Sequence, residues 1–166
     1  RQLRQIVQFL QKRVPGFGAA YNVQSGVQIG VRETRRIRGE YYISAENLLA
    51  PVEFPDAIAR GTYPIDIHNP EGKGTILRRP PAGTAYGIPL RALLPLDIER
   101  IIVAGRCISG SHAAHSAWRV MPISMATGQA AGVCAALASA GRRRLRDVRS
   151  EDVRAELIRQ GAYLDE

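Results

Sequence analysis

The stretch 101–138 constrains this chain more than any other part of its sequence. Four apolar residues, 101–104, stop at Gly105, which is typical of a short buried strand that ends in a tight turn. After a polar loop, Pro122 opens an apolar run over 123–140. This run predicts a helix, because proline is well tolerated at the first helical position. The loop carries Arg106, Ser109, His112, His115 and Arg119.

The predicted helix is unusual because small residues cover much of it. They are Gly128, Ala130, Ala131, Gly132, Ala135 and Ala136. Such a helix can approach a flat ligand closely, and its first turn offers free N–H groups and a partial positive charge to an electron-rich group. The pattern indicates a helix that faces a cofactor, with an ordinary core helix as the alternative. A membrane span is not expected, because the run is weakly apolar and shorter than the roughly 20 strongly apolar residues that a span needs.

Apolar periodicity and end signals predict four further helices. They cover 3–14, 44–49, 55–61 and 150–161. The first is amphipathic and ends where proline and glycine follow it, while Ser44 and Ser150 are the predicted N-caps of the second and the last. Gly161 is the predicted end of the last helix.

Alternation of apolar and polar residues predicts the strands. They cover 26–31 with a continuation over 37–43, then 63–68, 76–78 and 84–90, and 69–74 is a loop by composition. No helix of crossover length separates consecutive strands, so a mainly antiparallel sheet is expected rather than βαβ units. The fold class expected from these elements is α+β, with an α/β part at the C-terminal end.

Several short motifs carry a family resemblance when they are taken together. The central stretch holds Ala104-Gly105-Arg106, the segment 109–112, Arg119-Val120-Met121-Pro122 and the segment 128–132, and three further motifs lie at 30–36, 63–68 and 86–91. These segments resemble the C-terminal part of the FAD-dependent oxidoreductases that have the glutathione-reductase type of two-domain fold. The resemblance covers most of the chain, from about residue 26 to about residue 164.

The resemblance implies a partial chain of two parts. Residues 1–98 would supply mainly antiparallel strands and short helices of a substrate domain, and residues 99–166 would supply the final strand, loop and helices of an FAD-binding domain. The implied cofactor is FAD. Carried over by motif position, its contacts would be Gly105, Arg106, Ser109, Arg119, Val120, Met121, Pro122 and Ser124.

The dinucleotide fingerprint, a Gly-x-Gly-x-x-Gly turn between a strand and a helix, is absent from this sequence. One near match has Tyr21 at the third glycine position, and the other has Leu77 there. If the resemblance holds, we expect the ADP-binding half of the cofactor site to lie in a segment upstream of Arg1. The chain would then supply the flavin side only and bind FAD weakly without that partner segment.

The histidines are the candidate acids and bases, because only their side chains have an unperturbed pKa near neutrality. His112 and His68 are the predicted catalytic residues, and His115 is a weaker candidate. The charged residues around Glu33 and Arg36 are interpreted as an ion-pair network, with an anionic-substrate site as the alternative. The substrate is expected to be a small organic molecule whose class does not follow from the sequence.

The formal net charge of +8 arises mostly from arginine. A solvated face is the favoured interpretation of this charge, so no specific nucleic-acid binding is expected. A non-enzymatic basic binding module is the alternative function, and an inactive remnant that folds against other chains is a third.

Cys107 and Cys134 are predicted to be free thiols, and no metal site is predicted. No signal peptide is visible. The compartment is unknown, with the cytoplasm as the default, because the true N-terminus is not present.

Overall fold

The chain divides into two compact units, Arg1–Val31 and Arg32–Glu166. The computed structural model describes residues 1–68, 72 and 74–164. Most of the predicted loop over 69–74 therefore lies outside the described residues. Each unit is described by itself below.

The first unit consists of one helix and an extended segment. Helix α1, Gln2–Arg13, confirms the first predicted helix. None of its side chains is buried. The predicted strand over 26–31 is wrong: these residues form no strand, and Val27 is 96% exposed. Alternation alone does not make a strand when no neighbouring strand accepts its backbone hydrogen bonds.

The second unit contains two small antiparallel sheets. Strand β1, Ala57–Gly61, pairs with β4, Tyr86–Pro89, and strand β2, Ile65–His68, pairs with β3, Thr75–Arg78. The mixed α+β class and the antiparallel pairing are as predicted. The supposed continuation of a strand over 37–43 is wrong, because this segment makes only the isolated bridges Gly39 to Pro95 and Ile43 to Gly110.

The predicted short helix over 55–61 is also wrong, since β1 occupies most of this range. Proline and aspartate at its start are good helix openers, but the segment that follows pairs with β4 and is buried almost throughout. Tertiary pairing outweighs the local helix signal here.

Four helices lie in the second unit. They are α2 (Ala45–Leu49), α3 (His112–Trp118), α4 (Met121–Ala140) and α5 (Ser150–Arg159), and short 3₁₀ turns cover Leu90–Leu93, Gly105–Cys107 and Leu145–Asp147. Ser44 caps α2, as predicted, and the structure adds a reciprocal bond from the Ser44 N–H to the Asn47 side chain. Ser150 is the first residue of α5 rather than its cap, and Gly161 follows its end with a φ of +87°.

The central stretch departs from prediction in three respects. Residues 101–104 are extended but form no strand within the described residues, because only one ladder-like bond, from Val103 N to Leu93 O, joins them to a neighbour. The loop that was expected up to Arg119 contains α3, which Ser111 caps through a bond from Ala114 N. Helix α4 begins at Met121, one residue before the predicted start, so that Pro122 is its second residue.

The core of the second unit lies between α4, α5 and the β1–β4 pair. A side chain at Gly61 in β1 would bring its Cβ within 2.6 Å of Ile123 in α4 and of the Tyr86 ring in β4. Only glycine therefore allows the start of α4 to pack this closely on the sheet. Helix α3 packs against β2 and against the 3₁₀ turn at Gly105–Cys107.

An ion pair between a buried carboxylate and an exposed arginine fixes the edge of this core. Asp56 is buried, and its two carboxylate oxygens accept from Arg91 Nε at 2.8 Å and from Arg91 Nη2 at 3.0 Å. The carboxylate raises the pKa of the Arg91 guanidinium, which also lies 5.2 Å from the centre of the Tyr41 ring. The motif over 86–91 thus has a clear structural role.

Helix α4 is long and apolar enough to cross a membrane by length and composition alone, with a mean hydropathy of 1.3 in its most apolar window. The sequence analysis excluded a span on those two criteria, and α4 passes both of them. A core helix of a soluble protein passes the same test. The contacts of α4 with β1 and α5 cover part of the helix, and 33% of its most apolar window is buried.

Candidate functional site

A tight turn holds the segment before α3 against α4. Gly105 is buried with a φ of +69°, in the left-handed region that favours glycine. Its backbone N–H donates to Thr127 Oγ1 at 3.0 Å, and that hydroxyl donates to Ser124 O at 3.0 Å. The turn is therefore tied to the first two turns of α4.

The N-terminal tip of α4 has no side-chain cap. Val120 is the N-cap residue, and the first backbone bond runs from Ser124 N to Val120 O at 3.0 Å. The N–H groups of Met121 and Ile123 have no acceptor among the described residues, and Pro122 has no N–H to offer. Two free donors and the positive end of the helix dipole thus lie together.

The tip is open to solvent rather than sealed by aliphatic side chains. Met121 is 79% exposed and Met125, one turn later, is 73% exposed. Ser124 Oγ is buried without a hydrogen-bond partner among the described residues, and it lies 3.5 Å from the point where a Cβ on Gly105 would stand. An apolar surface beside two free N–H donors can hold a planar, electron-rich ligand.

The other predicted cofactor contacts lie in different surroundings. Arg106 is exposed, whereas Ser109 is fully buried, with its N–H bonded to Ala92 O and its carbonyl accepting from Ile43 N. The Ser109 hydroxyl has no partner among the described residues. Arg119 is partly buried, and its Nη2 donates to Asp66 O at 3.3 Å. The side chain of Arg119 therefore joins the end of α3 to β2.

A carboxylate lies at the centre of a second cluster. Glu33 Oε2 lies 2.6 Å from Nδ1 of His112 and 3.6 Å from Nδ1 of His115, while Glu33 Oε1 forms an ion pair with Arg36. Arg36 Nε donates to Gly110 O at 2.8 Å, which fixes the guanidinium to the turn before α3. The charged residues of the 30–36 motif and the first histidine of α3 thus form one network.

The two histidines of α3 differ sharply in their surroundings. His115 is fully buried, and desolvation, helped by the positive charge of Arg36 and Arg119, lowers its pKa to about 4. It is neutral at physiological pH, and its ring lies edge-on to Trp118 at 5.9 Å. The side chain of His112 is 63% exposed. Of the two, only His112 can exchange a proton with a ligand or with solvent.

His68 ends β2 beside another carboxylate. Its Nε2 lies 3.6 Å from Asp66 Oδ2, which also accepts from the Tyr63 hydroxyl at 3.4 Å. The backbone N–H of Asp66 donates to Ser116 Oγ at 3.0 Å, so β2 is fastened to α3. Within the described part of the chain, no contact joins His68 to His112. The two predicted catalytic residues therefore belong to different clusters.

Three residues of these clusters were not predicted as site residues. Thr127 holds the Gly105 turn, Ser116 holds β2, and Glu33 was interpreted as part of a structural network. Nothing in local sequence pairs Glu33 with a histidine 79 positions later, since 112 − 33 = 79. For Thr127 the sequence does contain a signal. A hydroxyl residue on the buried side of a helix needs a hydrogen-bond partner, so a contact with a neighbouring segment could have been predicted.

Both cysteines lie in the second unit. Cys107 is partly buried and Cys134 is buried, and both are free thiols, as predicted. Burial raises the pKa of the Cys134 thiol to about 11, so this thiol is unreactive at neutral pH. Among the described residues, no group of three or more histidine, cysteine or carboxylate side chains is placed to hold a metal ion.

Several arginines near the C-terminal end are paired with carboxylates. These pairs are Arg144 with Asp147, Arg149 with Asp152 and Arg159 with Glu156, each three residues apart. The arginine lowers the pKa of its partner in each pair. Such pairing disperses the positive charge instead of presenting it as one basic stripe.

Comparisons with known proteins give one match. The sequence model of a family described as FAD dependent oxidoreductase matches residues 1–157. No match was found among curated proteins or among solved structures.

Proposed function

The chain belongs to the FAD dependent oxidoreductase family, whose cofactor is FAD, and we propose that it supplies the flavin-contacting part of the active site. The observation that carries this proposal is the open, uncapped tip of α4 beside the Gly105 turn. The enzyme would transfer electrons between a small organic substrate and FAD. The glutathione-reductase type of two-domain fold is part of the same proposal.

The residues at the tip fit a flavin. The isoalloxazine ring is flat and has carbonyl and nitrogen acceptors at one edge, and the tip offers the exposed apolar side chains of Met121 and Met125 next to two free N–H donors. The positive φ and missing side chain of Gly105 allow close approach of the backbone. Arg106 is exposed and within the same turn, where it would reach the cofactor or a substrate carboxylate.

Bound FAD supplies the redox chemistry, since its ring system accepts the electrons of the substrate. The contribution of this chain to the chemistry is electrostatic. The N–H groups of Met121 and Ile123 stabilise negative charge at the tip of α4 by about 1 kcal/mol, and by more where water is excluded. Arg119, the residue before the N-cap Val120, adds a positive charge near the start of α4.

His112 is the proposed acid or base. Its ring is exposed, it opens the helix that leads to Arg119 and the α4 tip, and imidazole exchanges protons near neutral pH. His68 is the other proposed candidate, on the strength of its position at the end of β2. His115 is neutral and buried and therefore serves packing.

The proposal includes a partner segment for the ADP half of FAD. The sequence has no Gly-x-Gly-x-x-Gly fingerprint, so the pyrophosphate needs donors from elsewhere. The exposed face of α4, with Gly128, Gly132 and Ala136, supports the proposal, because small residues allow a neighbouring backbone to approach closely. The fragment alone is expected to bind FAD weakly and to be inactive.

An absorbance spectrum tests the function. The protein together with its preceding segment, purified with added FAD, should show a flavin band near roughly 450 nm that comigrates with the polypeptide. Absence of the band after FAD addition would contradict the proposal. The non-enzymatic basic module predicts instead tight, steeply salt-dependent binding to RNA, which a gel-shift titration over increasing salt would reveal.

A further inference from the structure

We propose that Glu33 is a positioning residue that makes Nε2 of His112 the proton-accepting atom of the active site, an inference that rests on the function proposed above. The carboxylate and the imidazole come from distant parts of the chain and meet at 2.6 Å.

Glu33 is held at both of its oxygens. Arg36 engages Oε1, and Arg36 is itself fixed by donating to the carbonyl of Gly110 at 2.8 Å. Because one oxygen is committed to the guanidinium, the other points at His112 in a defined direction. Glu33 is mostly buried, with 22% of its side chain exposed, so water competes little for this oxygen.

The contact selects one tautomer of the imidazole. Two heavy atoms at 2.6 Å need a hydrogen between them, and an ionised carboxylate has none to give. The hydrogen is therefore on Nδ1 of His112. In the neutral ring the lone pair then lies on Nε2, which has no partner among the described residues.

The surroundings favour this role over a structural salt bridge. The His112 ring is 63% exposed, and an ion pair with so much solvent around it contributes little to folding stability. The other titratable groups that face Glu33 are Arg36 and the buried, neutral His115. Neither of them removes the negative charge from the oxygen that engages His112.

The proton balance is simple. In a two-electron oxidation, the substrate would lose one hydrogen as a proton and the other, with the electron pair, as a hydride to bound FAD. The lone pair of Nε2 would form a new N–H bond with the proton. Glu33 stays ionised and receives no proton, because its charge stabilises the resulting imidazolium. The exposed ring then returns the proton to solvent.

Diethyl pyrocarbonate probes Nε2 without any knowledge of the substrate. Neutral imidazole attacks a carbonyl carbon of this reagent and expels ethyl carbonate, so its rate reports the nucleophilicity of the ring. The experiment treats the FAD-loaded protein at about pH 8, where ordinary imidazole is neutral. Mass spectrometry then follows the modification of each histidine separately.

Two internal references and one matched variant control the experiment. His68 is similarly exposed, at 57%, and its Nε2 lies 3.6 Å from Asp66 Oδ2, a carboxylate that neither variant changes. The ratio of the His112 rate to the His68 rate therefore cancels differences in reagent between samples. His115 is fully buried and must stay unmodified if the fold is intact. Glu40→Gln is the control for Glu33→Gln, because Glu40 also pairs with an arginine, Arg146, and is 24% exposed.

The expected result is that Glu33→Gln lowers the ratio of His112 to His68 modification by roughly tenfold, because the neutral ring is no longer held in the tautomer that leaves the lone pair on Nε2. Glu40→Gln should leave the ratio unchanged. An unchanged or raised ratio in Glu33→Gln, with His115 still unmodified, would overturn the inference. A purely structural Glu33 predicts that outcome.

A second measurement needs no variant and covers the case in which Glu33→Gln does not fold. Two-dimensional ¹H–¹⁵N spectra of the FAD-loaded protein, labelled at histidine, should show the neutral His112 ring with its hydrogen on Nδ1. A hydrogen on Nε2 would overturn the inference. If the flavin band is present and the hydrogen lies on Nε2, only the role of Glu33 is contradicted. If the flavin band is missing, the proposed function itself is contradicted.

Discussion

Gly105 donates its backbone N–H to the hydroxyl of Thr127 over 3.0 Å, so a turn with positive φ is fastened to the first half of α4. The bond sets the distance between the Gly105 backbone and the helix tip at Met121. Both groups belong to the proposed flavin surface. The geometry of that surface therefore depends on one buried side chain that does not itself face the ligand.

Replacing Thr127 with valine tests this dependence. The variant keeps the shape of the side chain but leaves the buried N–H of Gly105 without an acceptor, which is expected to lower the free energy of unfolding by about 1–3 kcal/mol. Affinity for FAD should fall as well. Urea unfolding and fluorescence titration with FAD measure the two effects. Thr127→Ser keeps the hydroxyl and should retain both properties, and equal losses in the two variants would contradict the role of the bond.

Replacing Gly105 with alanine tests the turn. A residue with a Cβ at a φ of +69° is strained by about 1–2 kcal/mol, and the turn is expected to shift away from the helix tip. FAD binding should weaken in a titration. The matched control is Gly161→Ala, which introduces similar strain at a φ of +87° after α5. If the control weakened FAD binding equally, the effect would be one of global stability.

Asp56→Asn tests the ion pair of the buried Asp56 carboxylate with Arg91. The change removes charge from a bidentate pair whose carboxylate is only 11% exposed, so a loss of about 2 kcal/mol in the free energy of unfolding is expected. The exposed pair of Asp147 with Arg144 serves as the comparison, and Asp147→Asn should change the midpoint of thermal unfolding little. Comparable shifts in the two variants would contradict the distinction.

His115 predicts a pH dependence of stability. Its pKa is lowered to about 4 in the folded chain and is near 6.5 when unfolded, so the unfolded state binds the extra proton between these values. The free energy of unfolding is therefore expected to fall as the pH drops from about 6.5 to about 4, with a slope of at most about 1.4 kcal/mol per pH unit. Urea titrations at several pH values measure the slope. His115→Gln should remove it, and an unchanged slope in that variant would show that other groups cause it.

The sequence predicts the helices of this fold better than its strands. Helix α2 follows from Ser44, and α4 follows from Pro122 and the apolar run after it, because these signals are local. The segment 26–31 alternates like a strand but has no partner. The segment 55–61 opens like a helix but pairs with β4. A strand depends on a distant partner, and a short alternating pattern does not show whether that partner exists.

The features of the candidate site likewise fall into those that local sequence predicts and those that depend on distant contacts. The motifs around Gly105 and Pro122 lie in one continuous stretch, so their proximity in the turn and the helix tip follows from chain connectivity. The contact of Glu33 with His112 joins the start of the second unit's sequence to a residue far along the same unit. The burial of His115 follows from the same packing. Neither feature has a local signal, since the same residue types occur on solvated surfaces.

The most direct test of the account is a crystal structure of the FAD-loaded protein that includes the proposed upstream segment. The account predicts that the isoalloxazine ring lies against Gly105 and the tip of α4, with an acceptor of the ring at hydrogen-bond distance, about 3 Å, from the N–H of Met121 or Ile123. A flavin bound elsewhere, with the tip of α4 covered by side chains of another segment, would contradict it.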